Sequence, residues 1–189
     1  MKNTFRSIIK DSIAVKEQAL EKNIDAMEKI AGECVRCLKS GGTLFFFGNG
    51  GSAADSQHVA AEFIGRFQKE RRALSAMALT TDTSILTSLA NDYSYDIVFS
   101  RQLEALGKKG DMAFGISTSG KSRNVIKAFE AAKLKGMITV AFTGGDGGPA
   151  AAMADIRVIV PSKITARIQE SHSTLLHAMC EVVENAFVQ

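Results

Sequence analysis

Proline is scarce in this chain, with two residues in 189, and cysteine and histidine are few, with three of each. So little proline leaves no proline-rich linker or stalk, and no low-complexity segment divides the chain. Cys34, Cys37 and Cys180 are too few for a disulfide framework, which favours a reducing compartment. Long hydrophobic runs are missing as well. The apolar stretches at 44–47 and 156–160 fall far short of the ~20 residues a bilayer span requires, so no membrane partner is expected. Lys2, Arg6 and Lys10 stand at the start without the apolar core of a signal peptide, and the expected location is cytoplasmic. Nor does one sign of charge dominate, because 23 basic against 20 acidic residues leave a net charge of +3. That balance argues against disorder and against the concentrated basic stripe of a nucleic-acid binder, so no nucleic-acid partner is expected.

What is plentiful is glycine, at 16 residues, within a chain that is 46% hydrophobic. Glycine without proline points to backbone geometry instead of loose linkers. The length suits one domain, taken as 1–189. Residues 1–40 read as N-terminal helices. Apolar positions at Ile13, Leu20, Ile24, Met27, Ala31, Cys34 and Leu38 form a seam in steps of three, four and seven, suited to packing on other helices, including those of a second subunit. Residues 41–189 read as an α/β core. Apolar runs at 43–47, 74–79, 111–116, 137–142 and 156–160 alternate with helical patterns, three of them through glycine- or serine-rich loops. The expected fold is therefore a three-layer αβα sandwich with a parallel sheet of about five strands, its ligand sites at the carboxyl ends of the strands.

Three groups of residues could carry chemistry. The loop after the third run, Gly115 to Ser122, fits the phosphate-loop pattern G-x-x-x-x-G-K-[ST], so a nucleotide hydrolase has to be weighed. Such an enzyme needs an acidic residue closing a second strand to hold magnesium, and the next strand ends in Thr143-Gly144-Gly145 with Asp146 too late. The narrower reading is a phosphate cradle: Ser117, Thr118, Ser119 and Ser122 set four hydroxyls beside a helix N-terminus. The loop Asn49-Gly50-Gly51-Ser52 is a second helix N-terminus that a ligand can approach closely. In its helix His58 and Glu62 are four residues apart and share a face, which suits the first half of a zinc site. His177 lies two turns beyond Gln169 in the last helix. His58, Glu62, Gln169 and His177 thus form a nitrogen–oxygen set for a divalent metal, while Glu62 and His177 are equally placed to act as base and acid. His172 falls off that line and reads as structural, and Cys34-x-x-Cys37 as helix packing.

Taken together, Gly48-Asn49-Gly50-Gly51-Ser52 with His58 and Glu62, Ser117-Thr118-Ser119-Gly120 with Ser122, and Arg167-Ile168-Gln169-Glu170 with His177 resemble the phosphoheptose isomerases of the sugar isomerase (SIS) fold. The resemblance implies the aldose–ketose interconversion of sedoheptulose 7-phosphate and D-glycero-D-manno-heptose 7-phosphate, which opens the ADP-heptose route to lipopolysaccharide and other surface glycans. It implies one zinc per subunit, held by His58, Glu62, Gln169 and His177, with Glu62 and His177 moving the protons. Substrate contacts would come from Asn49, Gly50, Gly51, Glu62, Asn91, Asp92, Ser117, Thr118, Ser119, Ser122 and Gln169, in a homotetramer. Lys121 is a departure, since the family often has Asn there. A non-catalytic SIS relative, an adaptor of the DnaA replication initiator, shares the R-I-Q-E run but lacks counterparts of Glu62 and His177; their presence here favours the enzyme.

Overall fold

The computed structural model describes residues 1–188. A helix α1 (Lys2–Lys39) precedes an alternation of β1 (Leu44–Gly48), α2 (Gly51–Ile64), β2 (Ala76–Ala78), α3 (Thr83–Asp92), α4 (Ser100–Leu106), β3 (Met112–Ser117), α5 (Arg123–Leu134), β4 (Ile138–Gly144), α6 (Gly148–Met153), β5 (Ile156–Val160) and α7 (Thr165–Asn185). All five strands pair in parallel in the order β2-β1-β3-β4-β5, so the expected αβα sandwich forms with a flavodoxin-like order. The N-terminal helices expected over 1–40 are one continuous helix, about 57 Å long. A 3-10 turn at Tyr95–Ile97, α4 and α6 carried no sequence signal, since none is long enough to display a helical period.

The three phenylalanines of β1 show how the layers are built. Consecutive strand residues point to opposite faces. Phe46 therefore enters the core under α1, α2 and α7 with Phe63 and Phe114, while Phe45 and Phe47 enter the core under α3 to α6 with Phe99 and Phe129. Phe46 stacks on Phe114 at 4.6 Å between ring centroids, which anchors β1 to β3. Every residue of β3 is buried, as a central strand covered on both faces must be. Gly115 lies inside that strand, where a Cβ would come within 2.5 Å of the Phe129 ring. The first glycine of the apparent phosphate-loop pattern thus lets α5 pack on the sheet, and it belongs to no loop.

The seam of α1 divides in two. Met27, Ala31, Cys34 and Leu38 are buried against the chain's own core, whereas Ile13, Leu20 and Ile24 remain 50%, 43% and 51% exposed. Where the halves meet, the Asn23 side chain accepts from the Ile159 N–H at 2.9 Å and donates to the Ile159 carbonyl at 3.1 Å. An amide here takes the place of a neighbouring strand on the free edge of β5. Burial pushes Cys37 up to about 11 and Cys180 up to about 12, as inert packing thiols would be.

Candidate active site

A sheet in this order has its switch point between β1 and β3, and the two loops expected to bind a ligand meet there. Gly48 ends β1, Gly50 turns the chain with φ +57°, and α2 starts at Gly51 with no side chain capping it. Across the crevice, the Ser117 and Ser122 hydroxyls lie 2.9 Å apart, so Ser122 does not cap α5 although it stands at the cap position. Ser119 Oγ accepts from the Lys121 N–H at 3.2 Å, and the Lys121 side chain is exposed. Gly120 has φ +63°, and a Cβ there would lie 1.9 Å from the Gly147 carbonyl oxygen, so the serine loop is seated against the loop after β4. The two ligand loops are locked together by a reciprocal amide pair: Asn49 Nδ2 donates to Asn124 Oδ1 at 3.0 Å, and Asn124 Nδ2 donates to Asn49 Oδ1 at 2.8 Å. Asn49, Gly50, Gly51, Ser117, Thr118, Ser119 and Ser122 consequently share one rim. Asn91 and Asp92 end α3 on exposed surface, where Asn91 Nδ2 donates to Asp92 Oδ1 at 2.8 Å and neither is tied to the loops.

Helices α2 and α7 follow parallel strands on the same face of the sheet and run side by side in the same direction. Their facing stripes match turn by turn. Gln169 lies over Gly51, its amide nitrogen 2.5 Å from where a Cβ would stand; one turn on, Ser173 Oγ donates to Asp55 Oδ1 at 2.7 Å. Farther along, His177 Nε2 faces His58 Nε2 at 3.3 Å, and His58 Nε2 faces Glu62 Oε1 at 3.0 Å. The structure thus brings His58, Glu62 and His177 together and leaves Gln169 about 12 Å away along the helix axis, at the Gly51 end.

His58 Nε2 carries either a proton or a lone pair, never both. It can donate to Glu62 or accept from His177, but it cannot serve both neighbours at once. A cation among the three would satisfy every lone pair together, and donors about 2.1 Å from a tetrahedral zinc stand roughly 3.4 Å apart, near both distances here. Donor chemistry and two spacings therefore suit a divalent ion. The three do not form a closed site, however: among the described residues no three His, Cys, Asp or Glu side chains make a group that could hold a metal ion.

The remaining polar groups near the site are held by burial. His172 is fully buried on the sheet side of α7, its Nε2 3.0 Å from the Thr143 carbonyl and its ring edge-on to Phe142. Burial pushes it down to about 4, so it stays neutral, donates to Thr143, and is structural as its off-line spacing suggests. Arg167 and Glu170 of the R-I-Q-E run form an ion pair with two hydrogen bonds, and Ser12 Oγ donates to Glu170 Oε2 at 2.6 Å. The Arg167 hydrogen bonds hold the Glu170 carboxyl below its ordinary range. These two residues strap α1 to α7 and leave Gln169 between them facing α2.

Sequence reasoning missed Asn124, the Asp55–Ser173 contact, and the pair of Arg71 with Glu184. Asp55 and Ser173 could have been found, since each lies one turn before a histidine already singled out. Arg71 sits in a charged segment that reads as a solvated loop, so nothing in the spacing marks it.

Residues 9–144 match the SIS domain family. The phosphoheptose isomerase of Roseiflexus sp. (strain RS-1) is 52% identical over 181 residues, covering 96% of this chain and 92% of its own length. Among solved structures, the phosphoheptose isomerase of Neisseria gonorrhoeae superposes with a TM-score of 0.92 at 45% identity, covering 97% of this chain and 98% of that one. That of Francisella tularensis superposes with a TM-score of 0.93 at 34% identity, covering 97% of each.

Proposed function

The chain belongs to the SIS domain family and, within it, to the phosphoheptose isomerases, and from that premise we propose that it interconverts sedoheptulose 7-phosphate and D-glycero-D-manno-heptose 7-phosphate in the route to ADP-heptose and surface glycans. The observation that carries this reading is the convergence of His58, Glu62 and His177 on the stripe where α2, which starts at the switch-point loop, faces α7. An isomerase of this class must move a proton between adjacent carbons of an open-chain sugar through an enediol. Glu62, half-buried, takes the proton from one carbon, and His177 supplies one to the carbonyl oxygen as the double bond shifts. His58 stands between them, its Nε2 able to hold either one.

The serine loop holds the phosphate. Hydroxyls of Ser117, Thr118, Ser119 and Ser122 and the uncapped start of α5 offer donors to a dianion without a basic surface. Anchoring the far end of the sugar there fixes its orientation. The N–H-rich turn of Asn49, Gly50 and Gly51, with Gln169 above it, faces the hydroxyls between. Asn91 and Asp92 would join from a neighbouring surface. A zinc ion held by His58, Glu62 and His177 would supply Lewis-acid polarisation of the carbonyl oxygen, with Gln169, at the Gly51 end, outside that set. The exposed half of the α1 seam, continuous with an apolar groove lined by Leu20, Ile24, Leu175 and Val182, supports a homo-oligomer, which we take to be a cytoplasmic tetramer. No helix among the described residues is long and apolar enough to cross a membrane.

Incubation with sedoheptulose 7-phosphate tests the reading, with the aldose product followed over time. Product should form, fall after treatment with a chelator, and return on addition of zinc. Absence of product with fully folded, zinc-supplied protein would overturn the activity, and turnover indifferent to chelation would remove the metal.

A further inference from the structure

Behind the open cluster lies an ion pair that the proposed chemistry does not touch. Arg71 follows α2 in the segment before β2, and Glu184 is in the last turn of α7. Their side chains are 1% and 2% exposed, with Arg71 Nε 3.4 Å from Glu184 Oε1. Arg71 Nε has no hydrogen-bond partner beyond that ion-pair approach, so where the other donors and acceptors of these buried charges go is informative.

Arg71 spends its guanidinium on the end of α2. Nη2 donates to the Glu62 carbonyl at 2.7 Å, and Nη1 donates to the carbonyls of Phe63 at 2.9 Å and Gly65 at 3.0 Å. Carbonyls at a helix C-terminus lack intrahelical partners and fray unless something holds them. Here the held turn is the one from which the Glu62 side chain projects. Glu184 spends its carboxylate on the segment that follows: Oε1 accepts from the Phe67 N–H at 2.8 Å, and Oε2 accepts from those of Gln68 at 2.8 Å and Lys69 at 2.9 Å. Burial alone would raise that carboxyl, but the three N–H donors and Arg71 outweigh it and hold it below its ordinary range. Fixing Phe67 sets its ring on His177, at 5.6 Å between centroids. Glu184 itself lies two turns beyond His177 on the same helix.

The contacts close a circuit: Glu62 to His58 to His177, His177 to the Phe67 ring, the Phe67 N–H to Glu184, Glu184 to Arg71, and Arg71 back to the Glu62 carbonyl. We propose that Arg71 and Glu184 are positioning residues for the proton transfer, setting the Glu62 turn from one side and the His177 ring, through Phe67, from the other. This rests on the roles proposed above for Glu62 and His177. Neither residue touches those side chains, and neither lies at the phosphate loop, so the pair governs the chemical step and not substrate capture.

The test is a comparison of Arg71→Lys, Glu184→Gln and Phe67→Leu with the unaltered, zinc-supplied protein, each checked for folding. A misplaced acid–base pair should lower kcat by about tenfold or more, while KM for sedoheptulose 7-phosphate stays within about twofold because the serine loop is intact. The imidazole resonances of His58 and His177 should shift in the proton–nitrogen spectrum while those of His172 stay in place. Unchanged kcat in folded variants, a loss appearing in KM, or unmoved His58 and His177 resonances would overturn the proposal. If the ion-pair variants do not fold, Phe67→Leu decides alone, since its ring is only partly buried. Glu62→Gln measured beside them separates the two readings. Full turnover there sinks both, whereas its loss with unimpaired Arg71→Lys and Glu184→Gln sinks only the positioning role.

Discussion

The cluster of His58, Glu62 and His177 and the pair of Arg71 with Glu184 are built from the same material, the end of α2 with the segment after it and the outer turns of α7. They differ in how their polar atoms are spent. The His58 and Glu62 side chains are 52% and 22% exposed, and His58 Nε2 faces two partners of which it can serve one. Arg71 and Glu184 are closed to water, and between them accept or donate seven hydrogen bonds at or below 3.0 Å to backbone groups. Charges sealed in the interior must be matched, and that requirement makes the pair rigid. A group left short of partners at the surface is available to a ligand. The contrast separates a closed frame from an open, candidate site within two turns of one helix.

Substitutions should break the two regions differently. At the open cluster the expected loss is in turnover. Glu62→Gln and His177→Ala should each lower kcat by about 10²–10⁴-fold, the usual size of a general acid–base contribution, with melting temperatures near that of the unaltered protein; steady-state assays and thermal melts check this. At the buried pair the expected loss is in stability. Glu184→Ala strands the Arg71 charge and three N–H donors, which should cost about 3–5 kcal/mol, read from urea denaturation. A collapse in stability at Glu62→Gln, or none at Glu184→Ala, would erase the distinction.

A smaller effect sharpens the comparison inside α7, where His172 is buried and His177 is not. Burial lowers His172 from 6.5 to about 4. Between those values the unfolded chain binds a proton that the folded chain refuses, so stability is complete above about 6.5 and falls as pH drops towards about 4, by up to ~3 kcal/mol. His172→Gln, whose amide can still donate to Thr143, should flatten that slope between pH 7 and pH 5. An equally steep slope in the variant would place the titration elsewhere.

Much of the site is legible in the amino-acid sequence. Strict spacing does the work for Asn49 to Ser52, Ser117 to Ser122, and the i,i+4 pair of His58 and Glu62, because helix periodicity and the strand–loop–helix pattern place those side chains without knowledge of their neighbours. Spacing is silent on what a helix face meets. Gln169 and His177 share such a face, yet the structure sets one over Gly51 and the other against His58. Gly115 fits a nucleotide motif by letter and proves to be a packing residue in mid-strand. The α1 seam reads as one stripe but divides at Asn23, because only its C-terminal half meets the chain's own sheet.

Periodicity and loop chemistry in the sequence alone determine a parallel α/β sandwich with glycine- and serine-rich loops at its strand ends, since both are local properties of the chain. Tertiary structure decided which side chains from distant segments face each other: His58 with His177 across 119 residues, Asn49 with Asn124 across 75, and Glu184 with the 67–69 backbone across 115 to 117. Such contacts depend on the register with which α2 and α7 dock on the sheet, and that register is set by packed volumes and satisfied buried charges, which no local pattern encodes.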